Sequence, residues 1–116
     1  MTTDLMMAFA KAWATKDLDT ILEFFTEDCI YSPSLRFEGA HEYQGKEAIK
    51  KAIQRLILFD NSTASSVSNL LIEGDRGYWQ WQYHTATGDT MKGCDFFEFE
   101  GDRIKCKNAF RKVIQQ

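Results

Sequence analysis

A chain of 116 residues, 44% hydrophobic and 27% charged, has the size and make-up of one globular domain with its own core, so neither a disulfide staple nor a structural metal is needed to hold it. A net charge of -3 with dispersed lysines argues against a nucleic-acid partner, and Lys11 and Lys16 interrupt the N-terminal apolar residues, so neither a signal peptide nor a membrane span is expected. Cys29, Cys94 and Cys106 form no CxxC or Cys/His spacing and leave one thiol over in any pairing, which makes the reducing cytoplasm the expected setting.

Leu5, Ala8, Phe9, Ala12 and Trp13 recur at helical spacing and predict a first helix with one apolar face. Asp17 reads as the N-cap of a second helix, whose stripe is Leu18, Ile21, Leu22 and Phe25 and whose end falls near Glu27. From Cys29 to Phe37, β-formers surround the only proline, Pro33, and predict an edge or interrupted strand. A third helical stripe of Ile49, Ala52, Ile53, Leu56 and Ile57 follows Gly45. The polar run from Asn61 to Ser68 reads as a connector.

After Ser68 the period becomes two, with turn signals at Gly74-Asp75, Gly88-Asp89 and Gly101-Asp102, so four successive antiparallel strands are expected. Helices first and a meander second predict an α+β fold with the three helices on one face of the sheet. Alternation puts Trp79, Trp81, Tyr83 and Thr85 on one face and Tyr78, Gln80, Gln82 and His84 on the other; the tryptophan face is the inner one. The same rule turns Gly93, Asp95, Phe97 and Phe99 inward. In the last strand periodicity favours Ile104, Cys106, Asn108 and Phe110 inside, which makes Asn108 a polar candidate for ligand contact; a bulge would reverse that assignment.

An inward Asp95 must either find a partner or take up a proton and donate a hydrogen bond. The structural alternatives are acceptance from an indole N–H or Tyr83, or an ion pair with Lys107 or Arg111. The histidines, His41 and His84, and the cysteines show no ligand spacing on a common element, so no metal is expected; no Gly-rich loop enters a helix, and no cofactor is implied.

Several segments carry a resemblance to the nuclear transport factor 2-like superfamily, and within it to the SnoaL-like and ketosteroid isomerase-like branch. They are the tryptophan-bearing first helix, Lys16-Asp17-Leu18, Phe25-Thr26-Glu27-Asp28 before Tyr31-Ser32-Pro33, Gln44-Gly45-Lys46-Glu47-Ala48-Ile49, and Gly93-Cys94-Asp95-Phe96-Phe97-Glu98-Phe99 with Gly101-Asp102-Arg103-Ile104. The resemblance implies a cone-shaped α+β barrel, three helices packed into a strongly curved mixed or antiparallel sheet around a ligand cavity. In ketosteroid isomerases the site combines a base aspartate with a tyrosine and a protonated aspartate. By the resemblance, Asp95 stands in place of the protonated aspartate, whereas Ser32 stands near the base position and Phe9 at the tyrosine position, so that mechanism is not expected here.

Related cyclase and dehydratase branches pair histidine with aspartate, which makes His41, in the loop before the third helix, a candidate catalytic partner of Asp95. Three readings follow. One is an enzyme performing isomerisation, dehydration or cyclisation of a small apolar substrate. A second is a binding module for an aromatic or otherwise apolar molecule, walled by Phe9, Trp13, Tyr31, Trp79, Trp81, Tyr83 and Phe97. A third is a homodimer through the outer sheet face, where Tyr78, Gln80, Gln82, His84 and Phe96 fall.

Overall fold

Thr2 caps the first helix, α1 (Thr3–Ala14), its hydroxyl accepting from the Leu5 amide at 3.1 Å. The helix closes in a Schellman arrangement: the Asp17 amide donates to the Ala12 carbonyl at 2.9 Å and the Lys16 amide to that of Trp13 at 3.1 Å, with Lys16 left-handed at φ 56°. Asp17 then caps α2 (Leu18–Glu23) at once, its carboxylate accepting from the Thr20 amide at 3.3 Å. The remaining elements are β1 (Phe25–Ser32), β2 (Tyr43–Gln44), α3 (Lys46–Asp60), β3 (Thr63–Glu73), β4 (Arg76–His84), β5 (Thr90–Glu100) and β6 (Arg103–Arg111). The computed structural model describes residues 1–35, 41–60 and 63–113.

The six strands form one open mixed sheet in the order β2-β1-β6-β5-β4-β3. β3, β4, β5 and β6 pair antiparallel in succession as expected, and β1 joins the other side of β6 in parallel, which brings the N-terminal half onto the end of the meander. α1 packs on β3 and α2, and α3 on β1 and α2, so the helices cover one face of the sheet. The α+β layering predicted from the sequence is the observed one. Met6, Phe9, Ile21, Phe25, Ile49, Ile53, Trp79, Phe97 and Ile104 fill the space between helices and sheet. Phe9 is the hub, with its ring against those of Trp13, Phe24, Phe25, Trp79 and Phe97 at centroid distances between 5.3 and 6.3 Å.

Several local expectations are corrected. On α1, Met6 is buried and Ala8 exposed, so the core face is rotated from the expected stripe. α2 stops at Glu23 rather than near Glu27, and Phe25 opens β1, because Ile104 pulls it into the sheet: the two are paired across β1 and β6. β1 ends before Pro33 and lies between β2 and β6, so it is not an edge; it is interrupted, with an irregular register between Phe25 and Ile30. Phe37 lies outside the described residues, as does Asn61. The run up to Ser68 is not a connector: β3 begins at Thr63, and as the outermost strand it tolerates serines where a central strand would not. Thr85 belongs to the loop after β4, its hydroxyl accepting from the Asp89 amide at 3.2 Å.

Candidate functional site

Trp79 and Trp81 stand two residues apart on the inner face of β4, and Asp95 is the cross-strand partner of Trp79 on β5. That register carries both indoles to one carboxylate. Trp79 Nε1 donates to Asp95 Oδ2 at 2.7 Å, and Trp81 Nε1 to Oδ1 at 3.0 Å. Gly93, opposite Trp81, makes room for the second contact: a Cβ there would run into the Trp81 ring and the Phe110 carbonyl.

β6 supplies the third donor through a one-residue irregularity. Phe99 pairs with Ile104 but Glu98 with Cys106, leaving Lys105 unpaired and reversing the alternation beyond it. Lys107, Ala109 and Arg111 therefore face inward. Asn108 is turned to the outer face beside Phe96, its cross-strand partner, so the expectation that Asn108 contacts a ligand is overturned by the bulge. Lys107 Nζ lies 3.5 Å from Asp95 Oδ2, in a pair of which Asp95 is 3% and Lys107 5% exposed. The ammonium also sits over the Trp13 and Tyr31 rings, 4.9 and 4.6 Å from their centroids. Burial pushes Lys107 below the ordinary lysine range, and the Asp95 charge opposes that shift.

With three donors converging on it, Asp95 acts as an acceptor. Both structural alternatives named for it, the indole N–H and the Lys107 pair, are present together.

A cavity of about 400 Å³ opens beside this pair. Trp13, Tyr31, Trp79, Trp81, Tyr83 and Asp95 all line it, together with Leu56, Ile57 and Val67. Phe9 and Phe97 do not: they are packed in the core behind the wall. His41 is exposed in the segment before β2 and is not among the lining residues, so the structure does not bring it to Asp95. Ser32, whose hydroxyl donates to the His41 carbonyl at 3.2 Å, and Phe9 offer neither the base nor the phenol of the isomerase mechanism.

Lys107 and Arg111 were legible only as possible partners of Asp95, not as lining residues. Arg111 lies over the stacked Trp81 and Tyr83 rings, 5.4 Å from each centroid. The signal that points to both is electrostatic: an inward carboxylate on β5 favours the register of β6 that turns cations toward it.

An open sheet with its helices gathered over a lined cavity defines a class of α+β pocket domains. Residues 7–106 match the family model described as the SnoaL-like domain, and the chain belongs to that family. No functionally curated protein matches.

Among solved structures, a protein with a ketosteroid isomerase-like fold from Catenulispora acidiphila, in complex with trimethylamine, is 17% identical, with 97% of this chain and 88% of that one covered and a TM-score of 0.80. A candidate ketosteroid isomerase from Kribbella flavida is 12% identical, covering 97% and 78%, with a TM-score of 0.81. A candidate polyketide cyclase from Sinorhizobium meliloti is 18% identical, covering 93% and 94%, with a TM-score of 0.78. Likeness at these identities establishes the fold; what each protein binds or catalyses is its own. No described helix is long and apolar enough to cross a membrane.

Proposed function

We propose that this chain binds a small, largely apolar molecule in the cavity beside Asp95. The observation that carries the reading is the wall itself: Trp13, Tyr31, Trp79, Trp81 and Tyr83 enclose about 400 Å³ next to a buried ion pair. Aromatic sides supply the contact area, and the pair supplies a polar anchor. The trimethylamine complex is a precedent for a small molecule held by this fold.

Acid–base chemistry is the reaction class supported by the ketosteroid isomerase and cyclase likenesses. In this chain the group suited to move a proton is Lys107 Nζ, which burial disposes to give its proton up, with Asp95 holding it in place. Isomerisation, dehydration and cyclisation of a carbonyl compound each remove a proton at one atom and deliver one at another, and a buried amine that gives up and regains a proton serves both halves.

The test is native mass spectrometry of the purified protein, followed by titration of its tryptophan fluorescence with small aromatic compounds. A retained molecule, or saturable quenching abolished by Ala109→Trp, which fills the cavity, supports the reading. Quenching that survives unchanged in a folded Ala109→Trp protein overturns it.

A second reading concerns the opposite face of the sheet. Phe96 and Phe110 are 49% and 51% exposed there, in edge contact with each other, and Tyr78 leans on Phe96. Charges of both signs flank them, Arg76 near Glu98 and Lys105 near Glu100, a self-complementary surface suited to a second copy of the chain. Analytical ultracentrifugation of the wild type and Phe96→Glu tests this: a dimer that dissociates in the variant supports it, and a wild-type monomer sinks it.

A further inference from the structure

The cavity is charged against the rest of the molecule. The chain as a whole carries -3, yet the charged side chains lining the cavity are Lys11, Lys16, Lys107 and Arg111 against Asp95 alone among the described residues. Asp95 is already committed to Lys107 and to two indole N–H groups. No carboxylate among the described residues pairs with Arg111, and its Nε is buried without an acceptor. The rings of Trp81 and Tyr83 accommodate the guanidinium charge but offer its in-plane N–H groups no acceptor.

A second orphan lies on the same wall, the buried Trp13 Nε1. Among the described residues, both orphans on the wall are donors. A buried donor left without a partner is costly, so these two define the complement the site lacks: oxygen acceptors, one of them anionic.

From these residues we infer that the molecule bound in the cavity is an organic carboxylate with an apolar ring body, its carboxylate on the Arg111 guanidinium. This rests on the cavity being the ligand site and narrows the class of ligand it takes. The planar guanidinium fork matches a carboxylate through two parallel N–H···O bonds, which a lysine cannot reproduce. Four residues of strand separate Lys107 from Arg111, about 13 Å, and the small Ala109 lies between them, so a ring system fits between the two cationic ends. A cationic ligand has no comparable place. The Trp13 and Tyr31 faces are occupied by the Lys107 ammonium, and the Trp81 and Tyr83 faces by Arg111.

The experiment compares three probes of one shape by titration calorimetry near neutral pH: 2-naphthoate, 2-naphthylmethanol and 2-naphthylmethylamine. In the wild type, 2-naphthoate is expected to bind roughly tenfold or more tightly than the alcohol, with the protonated amine weakest. Arg111→Met is expected to bring 2-naphthoate down to the level of the alcohol, while Arg111→Lys keeps part of the preference. If the alcohol binds the wild type and 2-naphthoate binds no better, the carboxylate inference falls and the cavity reading stands. A preference for 2-naphthoate that survives in Arg111→Met overturns the inference in the same way. If none of the three binds, the cavity reading itself falls and takes the inference with it. The wild-type comparison decides the matter even where Arg111→Met does not fold.

Discussion

Lys107 Nζ is held 3.5 Å from Asp95 Oδ2, inside a ring of aromatic side chains, and the two residues come from neighbouring strands brought into that register by the bulge at Lys105. Their partnership is unequal. Asp95 keeps two indole donors if Lys107 is removed, whereas among the described residues Lys107 keeps two ring faces and no second carboxylate if Asp95 loses its charge.

Asp95→Asn is therefore expected to cost about 3–5 kcal/mol of stability, the usual penalty for leaving one member of a buried pair uncompensated. Lys107→Met is expected to cost distinctly less. The double variant should recover much of the Asp95→Asn loss, since no buried charge remains. Urea unfolding of the four proteins measures this, and equal losses for the two single variants would contradict the asymmetry.

Two buried groups bend the alkaline stability in opposite senses. Burial pushes the Cys29 thiol from 9.0 up to about 11, so between those values the unfolded chain ionises while the folded one does not. Fewer protons are then bound by the unfolded state, and the stabilisation, complete below pH 9.0, is lost as the pH rises toward 11. Lys107 is lowered by burial, so the folded state sheds its proton first and its contribution rises with pH up to the ordinary lysine value of 10.5. Stability curves at several alkaline pH values should show Cys29→Ala gaining on the wild type as pH rises, and Lys107→Met losing ground to it.

Gly93→Ala should break the site from behind. The added methyl meets the Trp81 ring and the Phe110 carbonyl, and the carbonyl belongs to a strand backbone that cannot swing aside. Overpacking of this kind costs about 1–3 kcal/mol, and displacement of Trp81 also releases Asp95 Oδ1. A changed tryptophan emission with a lowered melting temperature is the expected result. An unaltered spectrum would show that Trp81 does not depend on the glycine.

Phe9→Ala separates core from cavity. The side chain is fully buried among five rings and is absent from the cavity wall, so its truncation is expected to cost about 3–5 kcal/mol. The relative affinities for the three naphthyl probes should stay as in the wild type. A changed order of probes, measured on the folded variant, would place Phe9 at the ligand after all.

The layering and most of the inner face are legible along the chain. Helical and two-residue periods are local properties of the chain, so the three apolar helices, the meander and the inward turn of Trp79, Trp81, Tyr83 and Asp95 follow from counting along it. The SnoaL-like family is likewise written in segments spread along the chain.

Which face of β6 meets the cavity is set by strand pairing and by nothing nearer in the chain. The pairing of Glu98 with Cys106 inserts one residue, and because side chains alternate with a period of two, a single insertion exchanges Asn108 for Lys107 and Arg111. Nothing local marks Lys105 as the extra residue. The choice is made across strands, where the buried Asp95 gains a counter-charge in one register and none in the other, and that non-local gain gives the cavity its cationic lining.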